Sequence, residues 1–166
     1  MLDPDPKRAA RRIVRRKKTG TPVEIGWCEL VQLPDLGLAD MHAKIDTGAR
    51  TSTLHAVKIK PFERAGHKWV RFVCPRSPGH DPQLCEAPLV ERRSVTSSNG
   101  QVQRRYVIVT RMQLAGRIWM GELTLANRTT MAFPVLIGRR ALRRGFLVNS
   151  ARRYLAGQPC ERQATS

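Results

Sequence analysis

From residue 23 onward this chain is a succession of short apolar runs cut by glycine, proline and asparagine turns, and only residues 139–144 have room to wind into a helix. That pattern excludes a helical bundle and points to a β architecture. Val23 to Leu33 opens it, Pro34, Asp35 and Gly37 turn it, and residues 38–45 form the next strand. Residues 51–59 alternate like a half-buried strand, residues 63–66 turn, and residues 68–73 form another strand. Residues 75–88 carry Pro75, Pro78, Gly79, Pro82 and Pro88 and read as an inserted loop. Residues 89–95 and 102–109 flank Ser97-Ser98-Asn99-Gly100, and Asn-Gly predicts a tight hairpin with both residues at positive φ. Residues 112–114 and 118–125 meet at Ala115-Gly116, residues 133–138 are apolar, and Gly145 stops the helical stretch before a last strand over 146–149. The prediction is one mostly-β, barrel-like domain over residues 23–157, between a basic tail (1–22) and a short C-terminal tail (158–166).

Charge narrows the partners. The formal net charge is +17, from 30 Lys and Arg against 13 Asp and Glu. Residues 1–20 hold eight of the bases and two of the acids, so the domain is itself strongly basic. Such a surface attracts acidic peptides or RNA, and the tail reads as an arm for RNA contact. No apolar run approaches a membrane span, no apolar stretch follows the basic N-terminus as a secretory signal would, and Cys28, Cys74, Cys85 and Cys160 form no C-x-x-C pair. These features predict a cytoplasmic protein with reduced thiols.

Within this frame one tripeptide carries chemistry. Residues 43–49 read Ala-Lys-Ile-Asp-Thr-Gly-Ala, an apolar strand running into Asp46 on a small-residue turn. Two carboxylates about 3 Å apart share one proton, so one can activate water while the other hydrogen-bonds a scissile carbonyl. The chain has a single Asp-Thr-Gly, and a second copy would supply the other carboxylate. Gly48 permits close backbone approach, Thr47 can bond across to the mate, and Ala49 keeps the cleft open. Further on, Val135-Leu136-Ile137-Gly138-Arg139 followed by Ala141-Leu142 gives an apolar strand ending in glycine before a short helix.

With these segments in this order, the chain resembles the retropepsin-like aspartic peptidases, whose half-barrels carry an Asp-Thr-Gly-Ala turn, a glycine-tipped flap and a later Gly-Arg segment. Residues 43–56 and 133–142 look closest to a bacterial group often labelled "ATP-dependent zinc protease" that includes the RimB proteins. The resemblance implies a homodimer of acid-protease fold with Asp46, Thr47 and Gly48 at the dyad. It implies Ile137, Gly138 and Arg139 beside it, and no metal or other cofactor. It further implies Ala49, Arg50 and the flap residues Ser98, Asn99, Gly100 and Arg104 as substrate contacts. Some members are encoded with a RimK-type glutamate ligase, which implies a functional antagonist that trims a poly-glutamylated ribosomal protein. The zinc and ATP labels find no H-E-x-x-H and no phosphate-binding loop here, although His80 and Asp81 lie near Cys74 and Cys85.

Two departures from the viral pattern stand out. Those proteins have an Asp after Asp-Thr-Gly-Ala that pairs with the Gly-Arg arginine; here that position is Arg50. It either binds substrate carboxylates or sits on the surface beside Glu29 or Glu122. The flap is either the Asn99-Gly100 hairpin, whose strands carry Arg92, Arg93, Arg104 and Arg105, or the turn at residues 62–67. The last strand is a candidate for the dimer interface.

Overall fold

A computed structural model describes residues 20–76 and 79–157. The basic tail to residue 19, and with it the expected RNA arm, lies outside the described residues, as does Cys160. Strands β1 (Val23–Gly26) and β2 (Cys28–Leu33) are one run in sequence but break at Trp27. The cause is the chain's C-terminal segment, which crosses here. Trp27 N–H donates to the Arg152 carbonyl at 2.9 Å, and Tyr154 N–H to that of Cys28 at 2.8 Å. A Cβ on Gly26 would sit 2.4 Å from the Arg152 oxygen, so glycine alone admits the crossing.

Six strands close a barrel in the order β2, β3 (Leu38–Ile45), β10 (Val135–Ile137), β4 (Ser52–His55), β9 (Arg117–Ala126), β8 (Val102–Leu114), with Gln32 opposite Gln113 completing the ring. Closure removes free edges. Along β3 the buried residues Met41, Ala43 and Ile45 face the interior at period two, while β4, between β10 and β9, is buried throughout. Leu33, Leu54, Ile108, Met112, Leu123, Leu125 and Ile137 fill the core, each contributing about 1.5–3 kcal/mol of transfer free energy. The helix α1 (Arg139–Leu142) buries Ala141 and Leu142, and β11 (Phe146–Asn149) pairs in parallel with β1 in a separate two-stranded sheet.

The barrel sheet continues past β8 through β7 (Gln83–Thr96), β6 (His67–Cys74) and β5 (Val57–Arg64). One face buries Val70, Phe72, Cys74, Cys85 and Ala87. The other bears Phe62 opposite Trp69, with the Arg64 guanidinium 4.5 Å from the Trp69 ring centre. The expected loop over 75–88 is therefore too long: β7 begins at Gln83, and Pro88 lies in the strand opposite Trp69. Proline is tolerated there because the ladder shifts register directly afterwards, between Leu89 and Glu91. The hairpin tip also differs from the tight Asn-Gly turn. Only Gly100 takes positive φ, at 82°. Ser97 N–H bonds the Gln101 carbonyl at 2.8 Å and Gly100 N–H the Ser97 carbonyl at 2.9 Å, which makes a wider three-residue loop.

Candidate active site

β3 ends at Ile45 and delivers Asp46 to the barrel mouth, where Asp46 N–H donates to the Ile137 carbonyl of parallel β10 at 2.9 Å. The turn then folds back on the side chain. Asp46 Oδ1 accepts from Gly48 N–H at 2.9 Å and Ala49 N–H at 3.1 Å, which fixes the carboxylate's orientation. A Cβ on Gly48 would lie 3.2 Å from that oxygen, tighter than ordinary contact. The second oxygen takes no hydrogen bond among the described residues, and no other carboxylate reaches Asp46 there.

The Gly138-Arg139 segment clamps the turn from below. Arg139 N–H donates to the Ala49 carbonyl at 2.8 Å and Arg140 N–H to that of Arg50 at 3.1 Å. The Arg139 guanidinium donates to the carbonyls of Thr47 at 3.1 Å and Gly48 at 2.8 Å. Arg139 thus braces the turn with no acidic partner among the described residues, which accounts structurally for how position 50 can be a cation. Gly138 N–H donates to the buried Ser52 Oγ at 3.1 Å, and a Cβ on Gly138 would fall 2.6 Å from the Thr51 carbonyl. The backbones touch here, and only glycine fits.

Arg50 is exposed and has neither candidate acid for a partner. Glu122 binds Arg93 at 3.0 Å and Arg140 at 2.9 Å. Glu29 is fully buried and accepts from Gly26 N–H at 2.7 Å, Leu155 N–H at 2.8 Å and Ala156 N–H at 3.2 Å.

Beyond the shifted register, residues 92–96 and 102–106 pair only with each other and project as a two-stranded ribbon. Its tip, Ser98, Asn99 and Gly100, is exposed. Arg93 and Arg105 are cross-strand partners on one face, and Arg93 reaches Glu122 on β9, so this face turns toward the barrel. Arg104 pairs across with Ser94 on the opposite face and is exposed; the inward cation is Arg105, one residue on. The alternative turn at Ala65-Gly66 joins the two strands farthest from the barrel in the sheet order.

One cation of the site went unread in the sequence. Arg128 sits in the loop between β9 and β10, its N–H donating to His55 Nδ1 at 2.8 Å and its Nε to the Phe133 carbonyl at 3.2 Å. Burial holds its guanidinium below the ordinary arginine value, Arg105 pushes the same way, and the Asp46 carboxylate opposes both. Burial likewise lowers Arg105. Arg128, Arg105 and Asp46 therefore share one electrostatic neighbourhood, although nothing in the 127–134 loop marks itself as a motif.

The described cysteines, Cys28, Cys74 and Cys85, are buried packing residues. Burial, then the neighbouring Cys85, pushes Cys74 up to about 12, and burial pushes Cys85 up to about 11. Both are free thiols, and His80 is exposed, so the Cys/His loop site does not assemble. Among the described residues no group of three or more His, Cys, Asp or Glu is placed to hold a metal ion. No helix there is long and apolar enough to cross a membrane.

Comparison with known proteins agrees with this geometry. A Legionella pneumophila protein of unknown function superposes with a TM-score of 0.69 at 27% identity, covering 81% of this chain and 98% of that one. A Shewanella halifaxensis protein named probable alpha-L-glutamate ligase is 42% identical over 134 residues, which are 80% of this chain but 29% of that protein. A Desulfotalea psychrophila protein of the same name is 37% identical over 134 residues, 80% of this chain and 28% of its own length. The chain thus spans under a third of the curated relatives it matches. A family model described as retropepsin-like aspartic endopeptidase RimB matches residues 24–159. The chain belongs to this RimB-like family of retropepsin-like aspartic endopeptidases.

Proposed function

We propose that the protein is an aspartic endopeptidase that works as a two-fold pair, each copy giving one Asp46, and that it cleaves acidic or poly-glutamate peptide segments. The observation carrying this is the Asp46 turn: one carboxylate oxygen is fixed by two backbone amides, and the other takes no partner among the described residues. A carboxylate so placed lacks only a mate, and a two-fold axis supplies an identical one. The two carboxyls then share a proton, the ionised member draws a proton from water, and the neutral member hydrogen-bonds the scissile carbonyl. The acidic substrate follows from the basic surface and from the relatives named glutamate ligases, in which a region like this chain accompanies an enzyme named for adding glutamate. A glutamate-extended small-subunit ribosomal protein is the substrate to try, with a RimK-type ligase as antagonist and the cytoplasm as the compartment. Incubated with such a protein and followed by mass spectrometry, the wild type shortens the tail and a folded Asp46→Asn variant does not. Full cleavage by folded Asp46→Asn refutes the proposal.

A second reading, a non-catalytic module that docks on ribosomal RNA, draws on the open face of β5 and β6. There Arg64 lies over both Phe62 and Trp69, and Arg71 over Phe62, a surface able to stack with bases. Salt-dependent RNA binding that is lost in Trp69→Ala and indifferent to Asp46→Asn favours this reading; absence of RNA binding removes it.

A further inference from the structure

Several of the described arginines are ion-paired. Arg64 and Arg71 share Glu86, Arg93 and Arg140 share Glu122, and Arg111 faces Asp35. Arg105 and Arg128 have no ion-pair partner among the described residues, although both are half-buried. The Arg105 guanidinium donates only to the neutral Gln103 side chain, at 3.1 and 3.3 Å. Arg128 is held in place by the Phe133 carbonyl through Nε, which leaves the outer edge of its guanidinium uncommitted.

Drawing two like charges together out of water is unfavourable unless an anion lies between or beside them. The register that sets Val107 opposite Thr124 brings Arg105 alongside the end of β9, from which the Arg128 loop leaves. Glu91 and Glu122 on the Arg105 side are committed to Arg93 and Arg140, and Asp46, which acts on Arg128, has Oδ1 engaged by the turn. The excess positive charge is fixed from two sides. Arg105 comes from the inward face of the ribbon, and Arg128 comes from the β9–β10 loop, anchored through its backbone to His55 of β4.

We infer that Arg105 and Arg128 form a carboxylate-binding subsite beside Asp46 that takes a glutamate side chain of the substrate. The inference rests on reading the Asp46 end of the barrel as the substrate cleft. A carboxylate is planar and divalent in acceptor geometry, and two guanidinium edges can hold it from the ribbon and from the loop at once. Binding substrate then ties ribbon to barrel, so an acidic side chain both orients the peptide and draws the ribbon down over it. In a two-fold pair the subsite occurs once on each side of the dyad. Such a cleft selects a run of glutamates over an isolated one.

The test is direct binding, read without turnover. A fluorescein-labelled hexaglutamate peptide is titrated by anisotropy against the full chain carrying Asp46→Asn, with hexaglutamine as the neutral probe. Arg105→Gln and Arg128→Gln are each introduced singly and together, and Arg71→Gln removes an equal charge from a remote face. The subsite predicts about a tenfold weakening for each single variant, which is about 1.4 kcal/mol. It predicts a double variant less than additive, because both arginines hold one group. Arg71→Gln changes affinity less than about twofold at moderate salt, where exposed charges are screened. Equal binding of hexaglutamine, equal loss on Arg71→Gln, or no binding of hexaglutamate by folded protein overturns the inference. In the Asp46-containing chain, Arg128→Gln raises KM more than it lowers kcat on acidic peptides. Wild-type cleavage that ignores peptide charge likewise overturns the subsite while leaving the peptidase reading intact. Tight hexaglutamate binding with no cleavage of any peptide does the reverse.

Discussion

Glu29 offers the sharpest test of how this domain is held together. Its carboxylate is fully buried and ion-paired to nothing among the described residues, yet three backbone N–H groups point at it, from Gly26, Leu155 and Ala156. Glu29→Gln keeps the shape, removes the charge and turns a donor toward a donor. Gly26 is buried, so any weakening of its bond goes uncompensated by water, whereas Leu155 and Ala156 are exposed and rehydrate when released. Hydrogen bonds to a charged acceptor contribute about 1.5–3 kcal/mol each, and discounting the two exposed donors leaves a loss of about 2–4 kcal/mol. With a urea m-value of about 1–3 kcal/mol/M, the unfolding midpoint falls by roughly 1–2 M at unchanged slope. Glu63→Gln, at an exposed acid, stays within about 0.5 kcal/mol. Trypsin should also cut sooner after Arg152 and Arg153, because the segment they belong to is pinned through Glu29. A midpoint shift below about 0.3 M in a natively folded Glu29→Gln protein refutes this account, since it would place the variant among neutral surface changes.

Two further outcomes follow. Gly138→Ala puts a methyl 2.6 Å from the Thr51 backbone, so either β4 or the Gly-Arg segment must shift. Overpacking of this kind costs about 1–3 kcal/mol, and a larger loss in any Asp46-dependent activity than in thermal stability is expected because the turn loses its brace; unchanged stability counts against the contact. Raised pKa values at Cys74 (about 12) and Cys85 (about 11) set a sign for alkaline stability. The folded thiols hold their protons above the ordinary value of 9.0, so their contribution is full below pH 9 and is lost as pH rises toward 11–12. Chemical unfolding followed across that window should steepen in the wild type and flatten in Cys74→Val; identical profiles would refute it.

Much of the fold was legible because period-two burial and turn residues are local signals. Residues 41–45 bury every second side chain, and the observed β3 has the bounds 38–45 read from the sequence. The Asp46 turn and the Gly138 brace were legible for the same reason, each being a short segment with its own geometry. What stayed hidden depended on contacts remote in sequence. Pro88 hid the length of β7, because a proline's place in a strand depends on the register shift beside it. Arg92, Arg93, Arg104 and Arg105 all read as ribbon cations in the sequence, and which of them face the barrel follows only from the register that sets Arg93 opposite Arg105 and from the Arg93–Glu122 contact. Glu29 reads as a surface acid until the C-terminal segment, more than a hundred residues later, folds its amides onto it.

Strand β8 has a mechanical consequence. It is a single unbroken beam: its first residues are half of the ribbon, its middle is shared between β7 and β9, and its end closes the barrel against β2. From Val107 onward β8 cannot bend without disturbing its pairing to β9 in the barrel wall. The compliant point lies in the opposite strand, where the pairing of β7 slips between Leu89 and Glu91. Any bending of the ribbon is thus a flexure of one strand against a stiff neighbour, concentrated where the pairing of β7 slips.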